Sequence, residues 1–251
     1  MPWHKSNHQN EALMRRLMPL IDLTSLNAND TEATLVLLFE KAQNQYGHVA
    51  SVCVMPDFVR LARIQFQNKP VRVGTVVNFP HGLSSIDTVL IEINDAIEKG
   101  AQEIDMVFPY TDYLSGDRAS SITFVKACKA SCGHQAILKV ILETGVLKEK
   151  AFIESVSVDA IMAGADFIKT STGKMGVGAT MDAAEVMLSV IKRLTPNIKR
   201  TIGFKVSGGI REIKDATAYV ELADKIMGQN WVGPGTFRIG ASQLVDRLLE
   251  G

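Results

Sequence analysis

The sequence predicts a single (β/α)8 TIM barrel with a short N-terminal helix, and three observations carry that expectation. Eight strand-like runs alternate with helical patterns along the 251 residues. No Gly/Ser/Pro-rich linker interrupts the alternation, so one domain over residues 1–251 is expected rather than two. A faint internal repeat sets "EKGAQEIDMVF" against "MAGADFIKTS"; both run from a helix end through Gly-Ala into a strand carrying a charged residue. An open doubly wound sheet is the rival, but no G-x-G-x-x-G follows the first strand, which ends in "DLTSLN".

Taken in order, the N-terminal "MPWHKSNHQNEALMRRLMPL" is too polar at its start for a secretory signal, and residues 1–10 are expected to fray. "PLIDLT" is the first strand, with Asp22 on the face of Leu20. "VASVCVM" follows, a mostly apolar run in which Cys53 is expected to be core. After "VRVGTVVNF" comes the clearest helix, "SSIDTVLIEINDAIEKG": Val89, Ile93 and Ile97 recur at four-residue steps, Ser84 or Ser85 is the N-cap, and Gly100 is the stop. The next four strands each carry a charge. Period-two alternation puts Asp105 of "EIDMVF" with Val107, and Lys139 of "AILKVILE" with Ile141 and Glu143. It puts Lys169 of "DFIKTS" with Phe167 and Ser171, and Lys205 of "TIGFKV" with Gly203 and Ser207. "TFRIGA" is the eighth strand. Helix-facing positions of a barrel are apolar, so these charges are expected to point inward, near the C-terminal mouth where barrel chemistry is done.

Composition excludes other classes. Lys plus Arg equals Asp plus Glu, 27 each, so no net field draws the chain to nucleic acid or anionic lipid. No apolar run reaches membrane-spanning length. Cys53, Cys128 and Cys132 form no disulfide framework, and Cys128 and Cys132 lie one helical turn apart, suiting packing in a reducing compartment. A cytoplasmic protein is the expectation. The histidines lack the spacing of a zinc site, so no metal is expected. "STGK" echoes the tail of a P-loop, but position 168 is Ile where that motif needs glycine. There is no G-x-S-x-G elbow either.

Three inward amines against two aspartates, Asp22 and Asp105, with Glu143 as a third carboxylate within reach, form a costly cluster to bury without a use. A set of charges that merely pair off is the structural alternative. Burial and a cationic neighbour both favour the neutral form of one lysine. Bringing an amine from about 10.4 to about 7 takes roughly 5 kcal/mol of differential interaction. A neutral lysine attacks carbonyl carbon and gives a Schiff base. "STGK" and "SGGI" supply small residues whose backbone N–H groups can converge on an anion, and "IGASQL" leads into a helix. Together they point to a phosphorylated carbonyl substrate.

"VVNFPHG", "EIDMVFP", "LKVILETG", "FIKTSTGK", "GFKVSGGI" and "RIGAS" resemble the motifs of the deoxyribose-phosphate aldolase family, class I aldolases on a (β/α)8 barrel, and the match runs in the same order from about Leu17 to Leu249. The resemblance implies reversible cleavage of 2-deoxy-D-ribose 5-phosphate to acetaldehyde and D-glyceraldehyde 3-phosphate, in deoxyribonucleotide catabolism, without metal or organic cofactor. It makes Lys169 the Schiff-base lysine. Lys205 is then the second lysine that keeps it neutral, and Asp105 the acid–base partner. Asp22, Lys139, Cys53 and Thr172 are supporting residues. The phosphate site falls on Gly173, Lys174, Gly208, Gly209, Ile210, Arg211, Gly240 and Ser242. Phosphosugar and aldehyde are the expected partners, with a homodimer as the assembly. Another lysine-dependent phosphosugar aldolase or transaldolase, and a non-catalytic phosphosugar-binding barrel, are the alternatives. The chain departs from the family pattern at Val206-Ser207, where Pro-Ala is frequent, and at Gln243, where a second serine is frequent; the latter weakens one expected phosphate contact. It stops at "RLLEG" without the tyrosine-ended tail of some members, and slower proton transfer at the enamine carbon is expected from that.

Overall fold

The computed structural model describes residues 3–250, with side chains from Asn10 onward. The N-terminal helix α1 spans Trp3–Leu17, and the fraying expected over residues 1–10 falls largely on side chains outside the described residues. Eight parallel strands close into a barrel in sequence order. They are β1 (Ile21–Ser25), β2 (Ser51–Val54), β3 (Arg72–Val77), β4 (Glu103–Val107), β5 (Ile137–Ile141), β6 (Phe167–Lys169), β7 (Gly203–Ser207) and β8 (Phe237–Ala241). Closure is by β8 against β1, with Asp22 opposite Gly240. Each expected strand-like run overlaps one of them, β1 and β7 ending one residue beyond theirs.

Between strands lie α2 (Glu32–Glu40), α3 (Val59–Gln65), α4 (Ile86–Glu98), α5 (Tyr110–Leu114), α6 (Arg118–Cys132), α7 (Thr144–Leu147), α8 (Lys150–Met162), α9 (Met181–Leu194), α10 (Ile213–Met227) and α11 (Leu244–Glu250). A two-residue antiparallel ladder, Gln43–Asn44 with Gly47–His48, links α2 to β2 and has no counterpart in the sequence pattern. Helix α4 forms as its pattern dictates. Ser85 Oγ accepts from Thr88 N–H, Val89, Ile93 and Ala96 are buried, and Gly100 turns the chain away at φ +103°. Cys128 and Cys132 are buried on α6 and unpaired.

Alternation along the strands separates two interiors. Ile104, Met106, Leu138, Val140, Phe204 and Val206 belong to the hydrophobic layer between strands and helices. There Phe204 meets Phe237 at 5.8 Å between ring centres. Truncating either ring to alanine would cost about 3–5 kcal/mol. The barrel lumen is different, because Asp105, Lys139, Lys169 and Lys205 all point into it and are buried. Long side chains need room, and small neighbours give it. A Cβ on Gly203 would lie 2.2 Å from the Phe167 ring, and one on Gly240 would lie 3.0 Å from Lys205 Cε.

Candidate active site

The strand registers set the predicted charges in two pairs, two residues apart along β6, where Lys139 faces Phe167 and Ile141 faces Lys169. Lys169 on β6 sits opposite Lys205 on β7, and Asp105 on β4 sits opposite Lys139 on β5. Side chains from opposite walls then meet on the barrel axis. Asp105 Oδ2 accepts from Lys169 Nζ at 2.8 Å and from Lys205 Nζ at 2.8 Å. Its Oδ1 accepts from Lys139 Nζ at 3.0 Å. Asp22 Oδ2 lies 2.6 Å from Lys205 Nζ and 3.0 Å from Lys139 Nζ.

Two further charges complete the cluster and are absent from the sequence reading. Glu103 Oε2 lies 2.6 Å from Lys139 Nζ, and Arg238 bridges Glu103 Oε1 at 2.9 Å and Asp22 Oδ1 at 2.5 Å. The signal was present: Glu103 is two residues before Asp105 on the same face, and Arg238 has the inward parity of β8. The third carboxylate of the cluster is therefore Glu103 rather than Glu143. Glu143 sits at the end of β5 in the left-handed region, φ +57°. Its Oε2 accepts from Thr172 N–H at 3.1 Å, so it braces the loop after β6 instead. Its Oε1 and the neighbouring Ser171 Oγ are buried without a hydrogen-bond partner.

The three amines differ in their company. Lys139 touches three carboxylates, Lys205 two and Lys169 one. Protonation follows that count. Burial pulls every amine toward the neutral form. For Lys139 its carboxylates outweigh burial, and the amine is held well above the ordinary lysine value. For Lys205, Asp105 and Asp22 likewise outweigh burial and raise it. For Lys169 burial wins over the single Asp105, with Lys205 adding to the depression, so its amine falls below the ordinary value. Burial would raise Asp105, but Lys139, Lys169 and Lys205 overcome it and keep it ionised far below the usual carboxylate range.

Lys169 is also the amine that borders a cavity of about 210 Å³ at the mouth. Gly173, Lys174, Gly208, Gly209, Ile210, Arg211, Gly240 and Ser242, all eight residues expected at the phosphate, line the same cavity. Thr172 lines it too, and its Oγ1 accepts from Lys174 N–H at 3.1 Å. Backbone packs on backbone here: Ala179 N–H donates to Gly208 O at 3.0 Å, and a Cβ on Gly178 would lie 2.3 Å from that oxygen. Gly173, Gly208 and Gly209 have φ of +75°, +89° and +91°, which side-chain-bearing residues adopt only with strain. The helix that "IGASQL" leads into begins at Leu244, so Ser242 meets the cavity from a loop. Thr24, Ser25, Leu26 and Asn27, the end of "DLTSLN", form another wall that sequence reasoning missed.

Cys53 points into the lumen and packs with Leu26 and Val76, Met55 and Phe79 lying against them. Burial, with Asp105 next, pushes its thiol up to about 11, so it stays neutral and serves as apolar wall. Among the described residues no group of three or more His, Cys, Asp or Glu is arranged to hold a metal ion, and no helix is long and apolar enough to cross a membrane.

Comparison with known proteins gives this arrangement a family. Residues 16–243 match the model of the DeoC/LacD family aldolases, and the chain belongs to that family. A crystal structure of a "putative deoxyribose-phosphate aldolase" from Coccidioides immitis is 32% identical, with a TM-score of 0.81 over 95% of this chain and 85% of that one. Deoxyribose phosphate aldolase from Aeropyrum pernix, whose structure is described as a unique tetramer, is 28% identical, with a TM-score of 0.75 over 96% and 91%. A Toxoplasma gondii ME49 structure shares the fold at 24% identity, TM-score 0.87, over 97% of both chains.

Proposed function

We propose that this aldolase reversibly cleaves 2-deoxy-D-ribose 5-phosphate into acetaldehyde and D-glyceraldehyde 3-phosphate through a Schiff base on Lys169. One observation carries the reading: of three buried amines, Lys169 has a single carboxylate partner and is the one that borders the cavity. Neutral Lys169 attacks C1 of the open-chain sugar, and loss of water leaves an iminium ion. The proton of the C3 hydroxyl passes to the Asp105–Lys205 pair, and the C2–C3 bond breaks with its electrons entering the iminium. Glyceraldehyde 3-phosphate leaves. The remaining enamine takes a proton at C2, and water hydrolyses the imine to free acetaldehyde and Lys169. Each proton transfer is worth on the order of 10²- to 10⁴-fold in rate.

The rim supports the phosphate assignment. Gly173, Gly208 and Gly209 line the cavity without side chains, leaving their backbone as the surface an anion would meet, and Lys174 and Arg211 stand exposed at its edge. Anchoring the phosphate there positions C1 against Nζ of Lys169, a contribution made by orientation rather than chemistry. Asp22 and Lys139 hold the acid–base pair in place, Thr172 fixes the loop beneath the phosphate, and Cys53 walls the donor end.

The test is reductive trapping. The protein is incubated with 2-deoxyribose 5-phosphate, reduced with borohydride and digested, and the added mass is located. An adduct on Lys169 that is absent in Lys169→Ala supports the reading. A folded protein that binds the sugar phosphate without any adduct is a binding barrel, and turnover of a different phosphosugar with trapping reassigns the substrate.

A further inference from the structure

Two side chains of the charged cluster lie outside the proposed reaction. Arg238 and Glu103 pair across the barrel, with Nη2 2.9 Å from Oε1, and Arg238 Nη1 reaches on to Asp22 Oδ1 at 2.5 Å. Arg238 is held from several sides. Its Nε donates to Pro234 O, and its guanidinium lies 5.6 Å from the centre of the Phe167 ring, for which Gly203 leaves room. A guanidinium keeps its proton in any protein environment, so this charge is permanent.

The charges of the lumen can be counted. In direct ion pairs within the lumen, Lys139, Lys169, Lys205 and Arg238 make four buried cations against the three carboxylates Asp22, Glu103 and Asp105. Arg72, its side chain 42% exposed, reaches Glu103 Oε1 at 3.1 Å from the solvent side, and Glu143 is held apart on Thr172 N–H. Fully ionised, the cluster carries one positive charge too many in a place where little water screens it. Release of one proton balances it. Lys169, with one carboxylate against two for Lys205 and three for Lys139, is the amine that holds its proton least. Without Arg238 that surplus is gone, and burial and Lys205 alone press Lys169 to give up its proton.

We propose that Arg238 and Glu103 set the protonation state of Lys169 as positioning residues that act through Asp22, Lys205 and Asp105. Arg238 supplies the surplus charge that drives the proton off Lys169, and Glu103 limits that surplus to one. The inference rests on reading Lys169 as the nucleophile and adds what keeps it one. Asp105 of β4, Lys205 of β7 and Cys53 of β2 act on Lys169 directly, with Glu143 just beyond β5. Behind them the cluster continues through Lys139 of β5 and Asp22 of β1 to Glu103 of β4 and Arg238 of β8, and Lys174 and Arg211 stand at the rim. Only Arg238 and Glu103 among them stand clear of the proposed chemistry, the loop brace and the phosphate rim.

The experiment titrates the Lys169 amine in the full-length protein without sugar. Acetylation by acetic anhydride is followed at Lys169 by peptide mass spectrometry across pH. In Arg238→Met the labelling midpoint is expected to rise by about one pH unit, the effect of a unit charge at roughly 10 Å in an effective dielectric of about 20. In Glu103→Gln it falls by a similar amount. The double variant Arg238→Met/Glu103→Gln returns it to within a few tenths of a unit of the parent, and Arg238→Lys leaves it in place. If Arg238→Met does not fold, Glu103→Gln and the double variant decide. Midpoints unmoved in Glu103→Gln, or moved the same way by both single variants, overturn the proposal and leave a merely structural ion pair. A Lys169 that responds in opposite directions but never traps the sugar phosphate refutes the aldolase substrate and keeps this inference.

Discussion

The floor and the rim of the barrel mouth solve opposite problems with opposite materials. The floor is made of long charged side chains on strands, crossed so that each carboxylate serves two or three cations. The rim is made of glycines on loops, where backbone presses on backbone and no side chain intervenes. On the proposed reading, chemistry at Lys169 depends on a pKa, which is set by fractions of an ångström between fixed charges, so it is built on the rigid part. The proposed phosphate, a tetrahedral dianion, can be held by any convergent set of N–H groups, so its site tolerates loops. The departures from the family pattern, Val206, Ser207 and Gln243, fit this division. Val206 faces the outer hydrophobic layer. Ser207 Oγ donates to Ser171 O and ties the β7 end to the β6 end. Gln243 follows Ser242, which lines the cavity.

The comparison can be broken from the floor first. Lys169→Ala is expected to lower kcat/KM by on the order of 10⁴-fold or more while the fold persists, because Asp105 retains Lys139 and Lys205. Steady-state cleavage together with circular dichroism checks both halves. Lys205→Leu should cost about 10²- to 10⁴-fold in kcat. It also removes a cation beside Lys169, so the labelling midpoint of that amine moves upward. A midpoint that stays put would separate Lys205 from the tuning role. Lys139→Met tests the floor as structure. It strips three buried carboxylates of a shared partner and is expected to lower unfolding free energy by about 3–5 kcal/mol in urea.

The rim should respond differently. Gly208→Ala forces a side chain into φ +89° with its Cβ 3.0 Å from Gly178 Cα. We expect strain of about 1–3 kcal/mol, expressed as a raised KM for phosphorylated substrates with near-parental rates on unphosphorylated 2-deoxyribose. Equal losses on both sugars would mean that the rim shapes the floor. The smallest effect is on acid stability. Burial opposes it, but the surrounding cations hold Asp22 and Asp105 below their ordinary range. Their contribution is complete above the unfolded aspartate value of about 3.9 and is lost as pH falls from there through the lower folded values. Urea midpoints should therefore stay level from pH 7 to about 5 and decline below about 4. Lys174→Met, at the rim, should leave that profile unchanged.

Much of this was legible beforehand because barrel strands are periodic. Alternation alone places Asp105, Lys139, Lys169 and Lys205 in the lumen, since an outward charge would have to enter the apolar layer with Phe204 and Met106. The α4 caps at Ser85 and Gly100 were equally local. Glu103 and Arg238 carry the same parity signal, but their pairing with each other is not legible locally, because the two lie 135 positions apart in the chain. Glu143 shows the limit from the other side: its parity is right, but a left-handed turn at its own backbone re-aims the carboxylate to Thr172 N–H.

The sequence by itself determined the architecture, the inward set of charges and the glycine rim, because period, parity and steric need are properties of short stretches. Only the tertiary structure decided which amine holds its proton least. That depends on how many carboxylates each Nζ meets across the barrel, and register and closure, not neighbouring residues, settle that number at three for Lys139, two for Lys205 and one for Lys169.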